Sequence, residues 1–156
     1  EVSFTNGIDL FNRRLRFVTL IDRKQGYFVQ NTEQSFLCQQ STSCPATSTL
    51  TPSLFHQART IAIRDGLPST PHGFFEKPDF WRIREVSATW NIPERLTQRW
   101  LKGQSASLNI AARNIAVFTN WTGVDPEQNY SQGDTQATLL TAGPPTYISA
   151  RLFLRF

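Results

Sequence analysis

Alternation of apolar and polar residues is the feature that most constrains this chain, because it gives each predicted strand one apolar and one polar face. The last such segment reads YISARLFLRF and alternates from Ile148 to Phe156. Four earlier segments alternate in the same way, beginning near Val2, Leu15, Phe80 and Ser105. The pattern predicts an all-β protein whose antiparallel strands form a sheet with faces of different polarity.

Two connections between these segments are much longer than the others. One runs from Thr32 to about Pro78 and is rich in Ser, Thr, Gln and Pro, and the other follows Trp121. Compact domains rarely hold structureless loops beyond about 12–15 residues, whereas outer-membrane barrels combine short turns on one side with long loops on the other. Alternation alone fits a soluble β-sandwich and a membrane β-barrel equally well. The loops, with aromatic residues near the strand ends, favour the barrel.

The otherwise irregular stretch from 32 to 78 carries two local signals. A helix is predicted from Pro52 to about Arg64, with Thr51 as its N-cap. Cys38 and Cys44 lie six positions apart, with no other His, Cys, Asp or Glu at metal-ligand spacing. A disulfide that closes a surface loop is therefore favoured over a metal site, and it implies an oxidising compartment.

Charge and composition argue against several classes of function. The net charge of +4 permits nucleic-acid binding, but the arginines are scattered and no basic cluster exceeds NRRLR, so no nucleic-acid partner is predicted. No apolar run approaches the roughly 18–20 residues of a membrane helix. The two histidines lie in a loop region and no G-x-S-x-G motif is present, so we expect neither an enzyme nor a cofactor. The start on Glu1 without Met predicts a piece of a longer chain.

Three segments carry a more specific pattern: DFWRIREVSATWNIP, LNIAARNIAVFTNWTGVDPEQN and GPPTYISARLFLRF. Together, over about residues 74–156, they resemble the C-terminal end of SusC/RagA-type TonB-dependent outer-membrane transporters. The positions that match in order and spacing are Asp79, Arg82, Arg84, Glu85, Pro93, Asn114, Trp121, Gly123, Asp125, Pro126, Glu127, Asn129 and Pro144. The first 31 residues fit as two preceding strands joined by a short turn.

The resemblance implies a fold and a function. The chain would supply the last five or so strands of a 22-stranded antiparallel transmembrane β-barrel, with residues 32–78 as a long extracellular loop. The whole protein would import nutrients such as oligosaccharides or peptides across a bacterial outer membrane. Its partners would be outer-membrane lipids, the remainder of the barrel and plug, TonB, a SusD-like surface lipoprotein and the barrel-assembly machinery. The alternative from the residues alone is a soluble, secreted β-sandwich that binds carbohydrate.

The resemblance also implies roles for single residues. Phe156, an aromatic residue on the closing strand, would be read by the barrel-assembly machinery. Trp81, Trp121 and Tyr130 are candidate substrate-facing aromatics, although anchoring at the membrane interface is the favoured role. The remaining candidates are structural positions of the family motifs: Arg82, Arg84, Glu85, Asn114, Gly123, Asp125, Pro126 and Glu127.

The arginines of the third strand raise a specific expectation. Arg82 and Arg84 have the same parity as the apolar positions from Val86 to Ile92, which would put both cations on the apolar face. At a strand rise of about 3.3 Å, Arg84 would then lie near the outer rim of the apolar band, where an arginine costs only about 0–1 kcal/mol.

Overall fold

The computed structural model describes residues 1–40, 43–127, 130–132, 135–138 and 142–156, and of residues 130–132 and 135–138 only the backbone is described. The chain divides into two compact units. The first comprises residues 1–24, 81–118 and 144–156, and the second comprises residues 25–80 and 119–143. Among the described residues, no helix is both long enough and apolar enough to cross a membrane.

The described part of the chain is mostly β-structure. The strands are β1 (Val2–Leu10), β2 (Leu15–Lys24), β3 (Val29–Asn31), β4 (Phe75–Glu76), β5 (Phe80–Ile92), β6 (Ser105–Thr119), β7 (Tyr130–Gln132), β8 (Thr135–Thr138) and β9 (Tyr147–Arg155). The helices are α1 (Thr32–Gln40), α2 (Pro45–Ser48), α3 (Leu54–Arg64) and α4 (Glu94–Leu101), with one 3-10 turn at His72–Phe74.

The first unit is a five-stranded sheet in which the strands follow the order of the sequence, β1-β2-β5-β6-β9. These are the five alternating segments of the sequence, so the prediction of an all-β chain with an antiparallel sheet is confirmed for this unit. In the antiparallel pair β1–β2, Phe4 lies opposite Ile21 and Ile8 opposite Phe17. In the antiparallel pair β6–β9, the same match of apolar residues places Ile110 opposite Ala150. Cross-strand pairing therefore joins the apolar positions into one continuous face.

At one end of this sheet, β5 and β6 are joined by α4, where the sequence indicated only a connector. Pro93 ends β5 and directly precedes α4, which begins at Glu94. The helix ends at Leu101, and its C-cap residue Lys102 takes the left-handed conformation with φ of 52°. The short β1–β2 turn lies at the same end of the sheet, since the backbone N–H of Asn91 donates to the carbonyl of Arg14 at 2.7 Å.

The second unit has a four-stranded sheet of order β4-β3-β8-β7, together with α1, α2 and α3. Strand β3 pairs with β4 antiparallel and with β8 parallel, so this small sheet departs from the predicted all-antiparallel arrangement. The second predicted strand extended to Asn31, but β2 ends at Lys24. Gly26 takes a φ of 82° between β2 and β3, a conformation that glycine adopts without steric cost.

The core of the second unit contains the disulfide. Cys38 and Cys44 are bonded with an S–S distance of 1.94 Å. Both are buried against Ile63 and Phe74, with Ala46 packed on the cluster. The disulfide is therefore a core element and not the staple of a surface loop, and residues 32–78 hold three helices where the sequence indicated one.

Helix α3 agrees with the predicted helix in its C-terminal end at Arg64 but starts two residues later. The N-cap is Ser53 and not Thr51, because the Ser53 hydroxyl accepts a hydrogen bond from the backbone N–H of His56 at 3.3 Å. Pro52 consequently precedes the cap and does not occupy the first helical position.

Candidate functional site

The candidate site of the first unit is the sheet itself, whose two faces differ in chemistry. On β6, Asn109 and Arg113 lie on the polar face, and Ile110 lies on the other. Beyond them Asn114 has a φ of 52°, the left-handed region that asparagine tolerates better than other non-glycine residues. Ile110 is exposed before this residue and Ile115 and Val117 after it, so the parity of the exposed apolar positions changes there, with Phe118 at the end of β6 also exposed. Asn114 thus acts as a bulge that keeps apolar residues on one face.

Two hydrogen bonds hold this bulge against the segment that leads into β9. The Asn114 side-chain amide donates to the carbonyl of Pro145 at 3.2 Å, and the Thr146 hydroxyl donates to the carbonyl of Asn114 at 2.6 Å. Asn114, one of the motif positions named in the sequence analysis, therefore fixes the phase of the strand alternation.

Strand β5 shows the same change of phase. The guanidinium of Arg23 lies 4.7 Å from the ring centroid of Trp81, which puts Trp81 on the face that β2 shares with Ile21. Further along, the Glu85 carboxylate accepts from the Arg113 guanidinium at 2.7 Å, on the opposite face. Odd-numbered residues therefore change face between Trp81 and Glu85.

This shift overturns the expectation for the arginines. Arg84 donates to the carboxylate of Asp22 at 2.5 Å, and Asp22 lies opposite Ser3 on the polar face of β2. Arg82 is only 3% exposed. The sequence analysis counted alternate positions back from Val86 and so placed both arginines on the apolar face. The count fails because the alternation of β5 shifts by one residue before Val86.

Charge-assisted and neutral hydrogen bonds link neighbouring strands on the polar face. The pair of Arg84 with Asp22 joins β5 to β2, and the pair of Glu85 with Arg113 joins β5 to β6. The Asn109 amide donates to the Thr89 hydroxyl at 2.8 Å, four residues further along the same two strands. This face is a ladder of paired polar groups, which suits contact with water or with other polar protein surface.

The opposite face carries large apolar side chains that the chain leaves exposed. Ile148 is 76% exposed and Ile110 is 47% exposed. The other exposed apolar residues on this face include Phe4, Ile8, Phe17, Val86, Trp90 and Leu152. Contiguous apolar surface of this kind marks a contact with another apolar phase or with a protein.

Trp81 and Trp90 mark two levels of this apolar face. They lie nine positions apart on β5, which is roughly 27–30 Å of strand at about 3.3 Å per residue. At the tilt of about 40° usual in membrane barrels, the separation corresponds to about 20–25 Å of depth, close to the apolar band of about 25 Å between aromatic girdles. The anchoring role favoured for Trp81 in the sequence analysis stays a prediction.

The other candidate aromatics have different surroundings. Phe156 follows β9 directly and is 77% exposed, and its role in assembly stays a prediction. Trp121 is 6% exposed, so the structure does not present its ring as a stacking surface. Tyr130 lies in β7, but its side chain is outside the described residues, as is the whole of the motif residue Asn129.

The motif residues from 121 to 127 form a compact turn in the second unit. A side chain at Gly123 would collide with the indole of Trp121, so the position requires glycine. The Asp125 carboxylate accepts from the backbone N–H of Glu127 at 2.9 Å. The Tyr27 hydroxyl donates to the carbonyl of Pro126 at 3.1 Å. These contacts give the motif residues a structural role.

Sequence reasoning missed Arg59, which is buried in the second unit and joins several elements. Its guanidinium lies 3.5 Å from the Glu76 carboxylate and donates to the Gln34 amide oxygen at 2.8 Å. The guanidinium also lies 4.7 Å from the ring centroid of Phe74. Burial lowers the pKa of Arg59 from its usual value, because the charged form loses water, and Glu76 opposes part of that shift.

Comparison with known proteins places this chain in a fold class. No family model matches the sequence, and no curated protein matches it. A structure of the RagAB peptide transporter matches with a TM-score of 0.58 and 17% identity, covering 91% of this chain and 16% of that chain. The RagAB peptide importer matches in its 'closed-closed' state with a TM-score of 0.55, at 18% identity over 90% of this chain and 15% of that one.

The 'open-open' state of the same importer gives a TM-score of 0.56 at 17% identity, over 92% of this chain and 16% of that one. The chain spans about a sixth of the length of the chains it matches. Identities this low show a related fold and nothing further about activity. The chain therefore has the fold of one segment of these much larger proteins.

Proposed function

We propose that this chain is the C-terminal part of the β-barrel of a SusC/RagA-like, TonB-dependent transporter in a bacterial outer membrane. The observation that carries the proposal is the exposed apolar face of the five-stranded sheet, opposite a ladder of paired polar groups. A barrel wall needs that arrangement, because its outer face contacts lipid and its inner face contacts water or protein. The fold shared with the RagAB structures supports the same assignment.

The finer parts of the proposal follow from the family resemblance. The five strands close a 22-stranded barrel with earlier strands of the same protein, and the polar face contacts the plug domain. The second unit forms the extracellular loops, which meet a SusD-like lipoprotein. TonB supplies the energy for import, and the cargo is a peptide or an oligosaccharide. The proposal gives the chain no catalytic residue, cofactor, metal or nucleic-acid partner.

The whole protein that contains this chain provides the test. Cells that express it and cells that lack its gene are supplied with mixtures of peptides and of oligosaccharides, and depletion from the medium is followed by mass spectrometry. We expect depletion of one class only in cells with the protein, and its loss when a protonophore collapses the proton-motive force. Fractionation of the same cells should place the protein in the outer membrane.

The alternative of a secreted carbohydrate-binding module predicts different results in the same experiment. Such a protein would be recovered folded and monomeric without detergent, and depletion would not respond to the protonophore. Either result would contradict the transporter proposal.

A further inference from the structure

Resting on the proposed function, we propose that the apolar face holds a site for an anionic glycerophospholipid beside the β1–β2 turn. A groove lies on this face at the end of the sheet where that turn and α4 are found. Its walls come from the turn and from three strands: Phe11, Leu15, Ala88, Trp90, Leu108 and Ile110. Ala88 has the smallest side chain among these lining residues. The groove suits an acyl chain, whose burial gains about 0.8 kcal/mol for each CH₂ group.

Arg14 supplies the charge at the end of this groove. Its side chain is exposed and contributes to the groove wall. Among the described residues, no carboxylate forms an ion pair with the Arg14 guanidinium. An arginine between an apolar groove and water can place its stem along apolar surface and its guanidinium at the level of lipid phosphates.

The turn that presents Arg14 is held in an unusual conformation. Phe11, Asn12 and Arg13 all have positive φ, at 51°, 55° and 64°. Two bonds from Asn91 of β5 support them: its backbone N–H donates to the carbonyl of Arg14 at 2.7 Å, and its side-chain amide donates to the carbonyl of Arg13 at 3.0 Å. Left-handed backbone costs energy at each of these non-glycine residues. The turn is therefore fixed by its neighbour strand, which sets Phe11 and Arg14 beside the groove.

The charges around the groove and its continuity with the apolar face indicate an anionic lipid as its occupant. A second depression adjoins the groove and shares Arg14 and Pro93 with it, and its wall includes Arg13, Arg95 and the single carboxylate of Glu94. The arginines thus outnumber the carboxylate, which favours an anionic partner. The groove is continuous with the face that the proposed function places against lipid. A bilayer lipid reaches that face with its acyl chain beside the sheet and its phosphate at the turn.

Native mass spectrometry of the full-length protein, purified in a non-ionic detergent, tests this site. The protein is titrated with phosphatidylglycerol or with phosphatidylcholine of the same acyl chains, and the bound lipids are counted. Arg14→Gln should weaken phosphatidylglycerol binding about fivefold, since one cation at a membrane surface contributes about that factor, and should leave phosphatidylcholine unchanged. Ala88→Leu fills the groove and should weaken both lipids.

Arg16→Gln is the matched control. Arg16 lies two residues further along the chain, on the polar face, where its guanidinium is 3.7 Å from the Asp9 carboxylate. The control should bind both lipids as the unaltered protein does. Equal phosphatidylglycerol binding by the Arg14 and Arg16 variants would overturn the site. Displacement of the lipid by millimolar inorganic phosphate would also overturn it, because the site would then recognise free phosphate.

Outer-membrane fractionation of the unaltered protein and of the same variants separates this inference from the function on which it rests. Absence of the unaltered protein from the outer membrane contradicts both. A protein that inserts normally but binds phosphatidylglycerol without dependence on Arg14 contradicts the lipid site alone.

Discussion

The two units differ in whether their large apolar side chains are buried or exposed. The second unit buries Phe74, Ile63 and both disulfide cysteines in one cluster. In the described part of the first unit, the buried apolar residues are two alanines, Ala106 and Ala111. Most of its larger apolar side chains lie on one exposed face of the sheet, and Phe153 is an exception on the other face.

This difference in burial indicates that the two units are stable in different surroundings. Burying apolar area stabilises a fold by about 25 cal/mol per Å², and the second unit obtains this stabilisation from its own residues. The sheet obtains little of it within the described chain, and the proposed function assigns the remaining contact of its apolar face to lipid. The predictions below test whether the two units differ in this way.

The largest expected effect is in the core of the second unit. Phe74→Ala should lower the free energy of unfolding of this unit by about 3–5 kcal/mol, because the removed ring leaves a cavity. Hydrogen exchange of the α3 amides measures the change. The matched variant, Phe4→Ala, removes the same ring from the exposed face and should leave α3 exchange unchanged; equal losses of protection in the two variants would contradict the separation of the units.

The next largest expected difference is between a charge on the apolar face of β9 and a charge on its polar face. Ile148→Arg places a cation on the apolar face, opposite Ala112, the middle residue of β6. We expect it to reduce the stability of the membrane-inserted protein by about 2–4 kcal/mol. Ser149→Arg, the adjacent residue on the polar face, should cost less than about 1 kcal/mol. Chemical unfolding from vesicles measures both, and equal costs would mean that the two faces have the same surroundings.

Alternation in the sequence predicted the five strands of the first unit well, because side chains on a strand must alternate between faces. It failed where the backbone departs from a regular pleat. Counting alternate residues put Arg84 on the apolar face. The alternation of β5 shifts by one residue, however, and Arg84 contacts Asp22 on the polar face. The sequence does show a shift of this kind at Asn114, where the apolar positions change from even to odd numbers. The same interpretation could have been tried for β5.

The second unit was predicted less well because its structure depends on contacts between distant residues. Helix α1 has almost no apolar periodicity of its own, and the buried disulfide joins it to the segment before α2. Arg59 is buried through partners that come from α1 and β4, namely Gln34 and Glu76. No local pattern in the sequence specifies such a group.

Removal of the disulfide should have an effect on the second unit alone. The double variant Cys38→Ala, Cys44→Ala should destabilise it by about 2–3 kcal/mol, since the closed loop is short. Loss of α1 and α3 amide protection measures this, with the β9 amides as the internal control. Equal loosening of β9 would show that the sheet depends on the core of the second unit.

The smallest expected effect concerns the bulge of β6. Asn114→Ala should be less stable than Asn114→Gly by about 1 kcal/mol, because alanine is strained at a positive φ and glycine is not. Unfolding of the inserted protein in denaturant compares the two. If alanine were the more stable replacement, the left-handed conformation at this position would be ruled out.

The central claim, that the apolar face of the sheet contacts lipid, is tested most directly by a spin-label scan of β9. Each residue from Ile148 to Leu154 is replaced by a labelled cysteine in the full-length protein, which is then reconstituted in vesicles. Accessibility to oxygen, which concentrates in the bilayer, should peak at Ile148, Ala150, Leu152 and Leu154 and fall at Ser149, Arg151 and Phe153. A scan without this two-residue period, or one in which a water-soluble relaxation agent peaks at the apolar positions, would contradict the claim.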